Sequence, residues 1–212
     1  TPSTSTSTST STSTRAPRHL LCGACVLAPP PQVAAVAAFD YVYPWAGLLG
    51  RFKFHGAVDL AGPLARALAA AVDQAPGLPA VDLVLPVPLA AERLRERGYN
   101  QAWELARRVA RRRGLRADAT LIERVRNTAH QLALPRAERA ANVHAAFVLG
   151  PRASAQVAGR RVVLVDDVMT TGATLAEATR VLLRGGAAEV QCWVVARTPL
   201  DDEIGAAGPP RG

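Results

Sequence analysis

The sequence predicts an α/β fold, a mostly parallel central sheet with helices on both faces. Apolar strand-like runs alternate along the chain with segments of helical spacing, as consecutive strand–helix units require. The strands are apolar without interruption, VVLV at 162–165 above all, which suits a sheet covered on both sides. The polar residues that follow that strand, DDVMTTGAT, sit where ligands of parallel sheets are held, at a carboxyl end.

Taken in order, the Ser/Thr repeat of residues 1–14 offers nothing to a core, and a disordered segment is expected over 1–18. Residues 19–32 carry Cys22 and Cys25 and end in a run of prolines. A single compact domain is expected over 33–200, followed by a flexible tail over 201–212. Within it, 33–43 reads as a strand and 44–56 as a short helix or turn. Residues 58–72 read as a helix in which Pro63 either sits in the first turn or kinks it. VDLVLPVP (81–88) is a buried strand stopped by prolines. Ala102, Leu105, Ala106, Val109 and Ala110 recur at helical spacing over 100–113. Short strands are expected at 120–125 and 145–149 around a polar, arginine-bearing loop at 126–142. A strand at 160–168, a helix at 175–186 closed by glycine and a last strand at 188–198 complete the pattern.

Composition narrows the class. No apolar run is long enough to cross a membrane as a helix, and the N-terminus lacks a basic-then-apolar leader, so a cytoplasmic location without membrane insertion is expected. The net charge is +8, yet Lys53 is the only lysine. The basic run RRVARRRGLR (107–116) could meet nucleic-acid phosphates, but without interleaved aromatics it reads first as a solvated helix face. Three cysteines make no disulfide framework. His55, His130 and His144 share no metal-ligand spacing.

The chemistry concentrates in VVLVDDVMTTGATL (162–175). Two carboxylates about 6 Å apart repel by a few kcal/mol at an effective dielectric near 20. Asp166 and Asp167 therefore need an answering charge: a divalent cation, a lysine or arginine, or hydroxyl donors. Behind them, Thr170, Thr171, Gly172, Ala173 and Thr174 form a small turn that opens onto a helix, where backbone amides favour phosphate. Acids beside a phosphate cradle describe a site for a phosphorylated ribose. No Gly-Lys-Ser/Thr follows the glycine and no GxGxxG occurs, so dinucleotide and ordinary ATP sites lose support.

This stretch resembles the phosphoribosyl-pyrophosphate (PRPP) signature of the type I phosphoribosyltransferases. The resemblance implies that Asp166 and Asp167 take the ribose 2′ and 3′ hydroxyls, directly or near Mg²⁺, and that residues 170–174 hold the 5′-phosphate. Three further segments resemble the ComF family, which shares this fold and is tied by name to bacterial DNA uptake: AFDYVYPWAGLLGRFKFHG (38–56), LVLPVPLAAERLRERGYNQAWELA (83–106) and RVRNTAHQLALPRAERAANVHAAF (124–147). The likeness spans about residues 20 to 198. By it, Pro86, Val87 and Pro88 belong to the pyrophosphate loop, with Arg93 and Arg97 nearby. Segment 126–142 is similar to the closing loop of glutamine PRPP amidotransferase, which nominates Arg126, Thr128, Gln131 and Arg139. Arg139 joins Asp166 and Asp167 as a catalytic candidate.

Members of the ComF family commonly carry two CxxC pairs ahead of the domain. Here only Cys22-Gly-Ala-Cys25 is present, half of a zinc site, and a truncated N-terminus is the expectation. Three functional classes follow from the resemblance. One is an enzyme transferring a phosphoribosyl group to an unidentified acceptor. A second is a non-catalytic PRPP or nucleotide sensor. The third is an accessory protein of DNA uptake that contacts single-stranded DNA or competence proteins.

Overall fold

The computed structural model describes residues 23–125 and 146–199. The chain divides into two compact units, Thr1–Pro30 and Pro31–Gly212. In the first unit the described residues form a short helix, α1 (Gly23–Leu27), which carries Cys25. Cys22 lies outside the described residues.

The second unit is built on a parallel five-stranded sheet. Its strands are β1 (Ala34–Asp40), β2 (Leu83–Pro86), β3 (Arg116–Ala117), β6 (Arg161–Met169) and β7 (Glu189–Arg197), in the order β1-β7-β6-β2-β3. A separate antiparallel pair joins β4 (Ile122–Arg124) to β5 (Phe147–Leu149). The helices are α2 (Trp45–Phe54), α3 (Ala61–Gln74), α4 (Ala91–Arg97), α5 (Gln101–Arg113), α6 (Ala153–Val157) and α7 (Ala173–Arg184). Among the described residues no helix is long and apolar enough to cross a membrane.

The period of two along β6 sorts its side chains onto opposite faces. Val162 and Leu164 join the core that contains Leu175, Ala178 and Leu182 of α7, whereas Val163 and Val165 join the core of α2, α3 and α5. Both faces are covered, as the uninterrupted apolar runs predicted. Pro63 occupies the first turn of α3, where a missing N–H costs no helical bond. Cys192 is fully buried in β7 and its thiol is pushed up to about 12 by burial, so it serves as a small hydrophobe rather than a nucleophile. The sequence reading missed α4, α6 and the two-residue β3. All three are too short to show a period.

The strand order places a reversal at the centre of the sheet. From β2 the chain moves outward to β3, and β6 then enters on the other side of β2 and leads away to β7. Such a switch point opens a crevice at the carboxyl ends of the two strands, here β2 and β6. Their opposite ends are tied by Asp82, which accepts from the Arg161 amide at 2.9 Å and from its guanidinium at 2.9 and 3.2 Å. The Arg161 side-chain hydrogen bonds, backed by its amide, pull the Asp82 carboxyl down to about 2. A depressed carboxylate stabilises the fold above its unfolded value near 4, and that contribution disappears as pH falls through about 2. Asp82→Asn is therefore expected to lower the urea midpoint at neutral pH and to flatten its dependence between roughly pH 4 and 2.

Candidate functional site at the β2–β6 crevice

The two acids continue the alternation of β6. Asp166 falls on the α7 face with Val162 and Leu164, and Asp167 on the opposite face with Val163 and Val165, toward α2. Each is held by the backbone of its successor: the Asp167 amide donates to Asp166 Oδ1 and the Val168 amide to Asp167 Oδ1, both at 2.8 Å. Asp167 is only 3 % exposed, and its Oδ2 accepts no hydrogen bond. The answering charge is Lys53 of α2, with Nζ 3.2 Å from that same oxygen, close enough for an ion pair but outside hydrogen-bond geometry.

On the other side, Asp166 lies within electrostatic reach of Arg124 at the end of β4. Burial, and next the neighbouring Asp167 charge, raise the Asp166 carboxyl well above its ordinary range, while Lys53 opposes them. Arg124 is itself lowered, first by burial and then by the nearby Arg93 charge. Arg93 of α4 and Arg124 of β4 thus lie within electrostatic reach of each other, and Arg124 within reach of Asp166. Arg124 also lies over the Phe147 ring, 5.5 Å from its centroid.

After Met169 the chain turns through Thr170 and Thr171 to Gly172, whose φ of +75° is left-handed and strained for any side chain. Gly172 caps α7 without a side chain of its own. Thr171 Oγ1 accepts from the Ala173 amide at 3.4 Å, and Gly172 O begins the helical ladder by accepting from Ala176. Exposed threonines and first-turn amides at the start of a twelve-residue helix suit an anion.

The facing wall is the loop after β2. Pro86 pairs in register with Val165, and the Val87 amide donates to Val165 O at 2.9 Å, so this loop starts beside Asp166. Val87 and Pro88 are buried and contribute backbone shape. Asn100 fixes the loop from behind. Its Oδ1 accepts from the Ala102 and Trp103 amides as the N-cap of α5, while its Nδ2 donates to Val87 O at 3.2 Å. Asn100→Ala is expected to cost about 1 kcal/mol in thermal or urea denaturation from the lost cap. It also frees the loop, so ligand affinity falls more than stability alone would give.

Arg93 lies within electrostatic reach of Arg124, whereas Arg97 donates to Gln101 Oε1 at 2.9 Å and stacks 5.0 Å from the Phe54 centroid. Arg126, Thr128, Gln131 and Arg139 lie outside the described residues. Lys53 and Arg124 are the site residues that sequence reasoning missed. The signal for Lys53 was its singularity: one lysine in a chain whose other 24 Lys/Arg positions are arginine. Among the described residues no group of three or more His, Cys, Asp or Glu gathers as a metal site.

The basic run 107–116 is largely engaged within the chain. Arg107 and Arg108 pair with Glu104, Arg113 with Asp73 and Arg116 with Asp118. These three carboxylates engage four of its six arginines, which favours the solvated helix face over a nucleic-acid contact.

Residues 55–203 match the phosphoribosyl transferase domain family. The chain is 39% identical over 183 residues to the DNA utilization protein YhgH of Escherichia coli strain K12, covering 85% of this chain and 79% of that one. It is 41% identical over 182 residues to the protein of the same name in Salmonella typhi, covering 84% and 78%. With Competence protein F of Haemophilus influenzae it shares 36% over 179 residues, covering 83% and 78%. Among solved structures it is similar to a glutamine PRPP amidotransferase from B. subtilis, with 20% identity and a TM-score of 0.42 over 64% of this chain and 26% of that one. It is also similar to a hypoxanthine-guanine phosphoribosyltransferase from Bacillus anthracis, with 12% identity and a TM-score of 0.42 over 68% and 72%. A parallel sheet with its acid pair and glycine turn at the central switch point, and relatives matched over most of their length, together place the chain in the phosphoribosyl transferase domain family, among its ComF-type members.

Proposed function

We propose that the crevice between β2 and β6 binds PRPP, and that the protein transfers its phosphoribosyl group to an acceptor in the cytoplasm. The observation that carries this reading is the single crevice holding both halves of such a ligand's chemistry. Asp166 and Asp167 accept from the ribose 2′ and 3′ hydroxyls. The amides and hydroxyls of residues 170–174 take the 5′-phosphate. The Pro86–Pro88 loop, Arg93 and Arg124 face the pyrophosphate.

The residues also fit Mg²⁺. Hard oxygen donors are what this cation prefers, and the unbonded, buried Oδ2 of Asp167 is one. Asp166 and Asp167 would hold it, and the cation would supply neutralisation of the pyrophosphate charge. The chain itself positions and shields: the donor is fixed at both ends, and the acceptor's electron pair forms a bond to C1 as the bond to pyrophosphate oxygen breaks. Arg93 and Arg124 meet the charge that departs with the leaving group.

A non-catalytic sensor would keep the same site without turnover. Isotope exchange between labelled pyrophosphate and PRPP, in the presence of Mg²⁺ and candidate nucleobases, separates the two. Exchange that vanishes in Asp167→Asn supports transfer, and binding without exchange across the acceptors tried supports the sensor. The relatives' names favour a role in DNA utilization or competence. A single-stranded DNA contact outside the crevice predicts salt-sensitive binding that survives loss of Asp166 and Asp167. Zinc at Cys22 and Cys25, completed by further ligands, remains a separate proposal that metal analysis of the purified protein would test.

A further inference from the structure

We propose that Lys53 is a displaceable counter-ion: it holds Asp167 in the ligand-free site, keeps a bare divalent cation out, and moves to the phosphates when the sugar ligand arrives. This rests on the crevice being a phosphorylated-sugar site, and it adds a positioning residue from outside the signature motif.

The geometry points to a partner that can let go. Lys53 Nζ approaches Asp167 Oδ2 to 3.2 Å without forming a hydrogen bond, so the pair is held by charge alone. The lysine side chain is 20 % exposed while that of Asp167 is 4 % exposed, so the cation has a way out and the acid does not. The helix that carries it is fixed. Leu49 and Phe52 are fully buried, Tyr99 Oη donates to Phe52 O, the Phe52 and Tyr99 rings lie 5.9 Å apart, and Arg97 covers Phe54. With Phe52 buried and tied to Tyr99, the helix backbone is held and the four-carbon stem of Lys53 is the part left to swing.

Residue type agrees. In a chain with 24 arginines, the one lysine stands at the acid pair. Arginine's planar fork would dock on the carboxylate with two hydrogen bonds and resist displacement, whereas an ammonium is a compact charge that exchanges partners readily. A cation arriving alone meets the Lys53 charge beside the oxygen it needs. A phosphorylated sugar brings anionic oxygens that give Lys53 a new partner and release Asp167. Cation and sugar should then bind with positive coupling, and by linkage each should tighten the other equally.

The test uses the full chain and Mn²⁺ alone, followed by electron paramagnetic resonance, on wild type, Lys53→Met, Lys53→Arg and the double variant Lys53→Met/Asp167→Asn. Circular dichroism confirms that each is folded. Lys53→Met is expected to bind Mn²⁺ about tenfold more tightly than wild type, within the usual range of site coupling, and the double variant to lose that gain. Lys53→Arg is expected to bind the ion no better than wild type. A parallel titration with PRPP should show cation–sugar coupling shrinking in Lys53→Met. Equal Mn²⁺ affinity in wild type and Lys53→Met, or no Mn²⁺ binding by either, overturns the counter-ion role. Tighter Mn²⁺ binding in Lys53→Met with PRPP bound by neither protein upholds that role and instead sinks the sugar-phosphate reading.

Discussion

Asp167→Asn is expected to weaken Mg²⁺-dependent PRPP binding by about 30- to 100-fold in calorimetric titration while the protein stays folded, the loss of roughly 2–3 kcal/mol of charge-assisted hydrogen bonding. Asn is nearly isosteric, and its Oδ1 can still accept from the Val168 amide. What disappears is the charge on Oδ2, the buried oxygen with no hydrogen bond in the ligand-free protein. The substituted amide would also turn a donor toward Lys53. Because the lysine is 20 % exposed it can relax into water, so the stability change should stay near 1 kcal/mol. Unchanged affinity would remove Asp167 from the site.

The largest stability effect is expected at Trp193. Its side chain is the largest of the fully buried ones, lies in β7 opposite Val165 and belongs to the core of α2, α3 and α5. Arg113 covers its ring at 5.5 Å, and its indole N–H donates to Gln191 Oε1 at 3.2 Å. Trp193→Ala opens a cavity costing about 3–5 kcal/mol, and it also strips a buried acceptor of its donor. Against a typical total of about 5–15 kcal/mol, that consumes a large share of the stability. Urea denaturation should show a strongly lowered midpoint, and a loss below about 1 kcal/mol would mean the core collapses around the gap. Val165 immediately precedes the acid pair, so the folded fraction should bind ligand less tightly as well.

The parts of this site that were legible in the sequence are local. Uninterrupted apolar residues mark β6, adjacent acids mark its end, and a glycine among threonines marks a tight turn, in which the structure gives Gly172 a φ of +75°. Period and turn chemistry act over a few residues, so reading them requires no fold. Lys53 and Arg124 were not legible because they reach the crevice through tertiary packing: one rides on a helix tied to Tyr99, the other on a short antiparallel strand pair outside the main sheet. Nor did sequence separate the two acids. Only the pleat of β6 shows that they look to opposite faces, Asp167 pairing with Lys53 while Asp166 lies within electrostatic reach of both Lys53 and Arg124. Arg97, grouped with Arg93 by the family resemblance, is turned by the helix onto Gln101 and Phe54.

Hydrogen–deuterium exchange with and without PRPP and Mg²⁺ tests the central claim most directly, because it reports where the ligand sits. Bound ligand is predicted to slow exchange of the amides at 166–175 and of the loop after Pro86, with no change in the α3 and α5 faces that pack away from the crevice. Protection confined to other segments, or none at ligand concentrations that saturate binding, would contradict a phosphorylated-ribose site between β2 and β6.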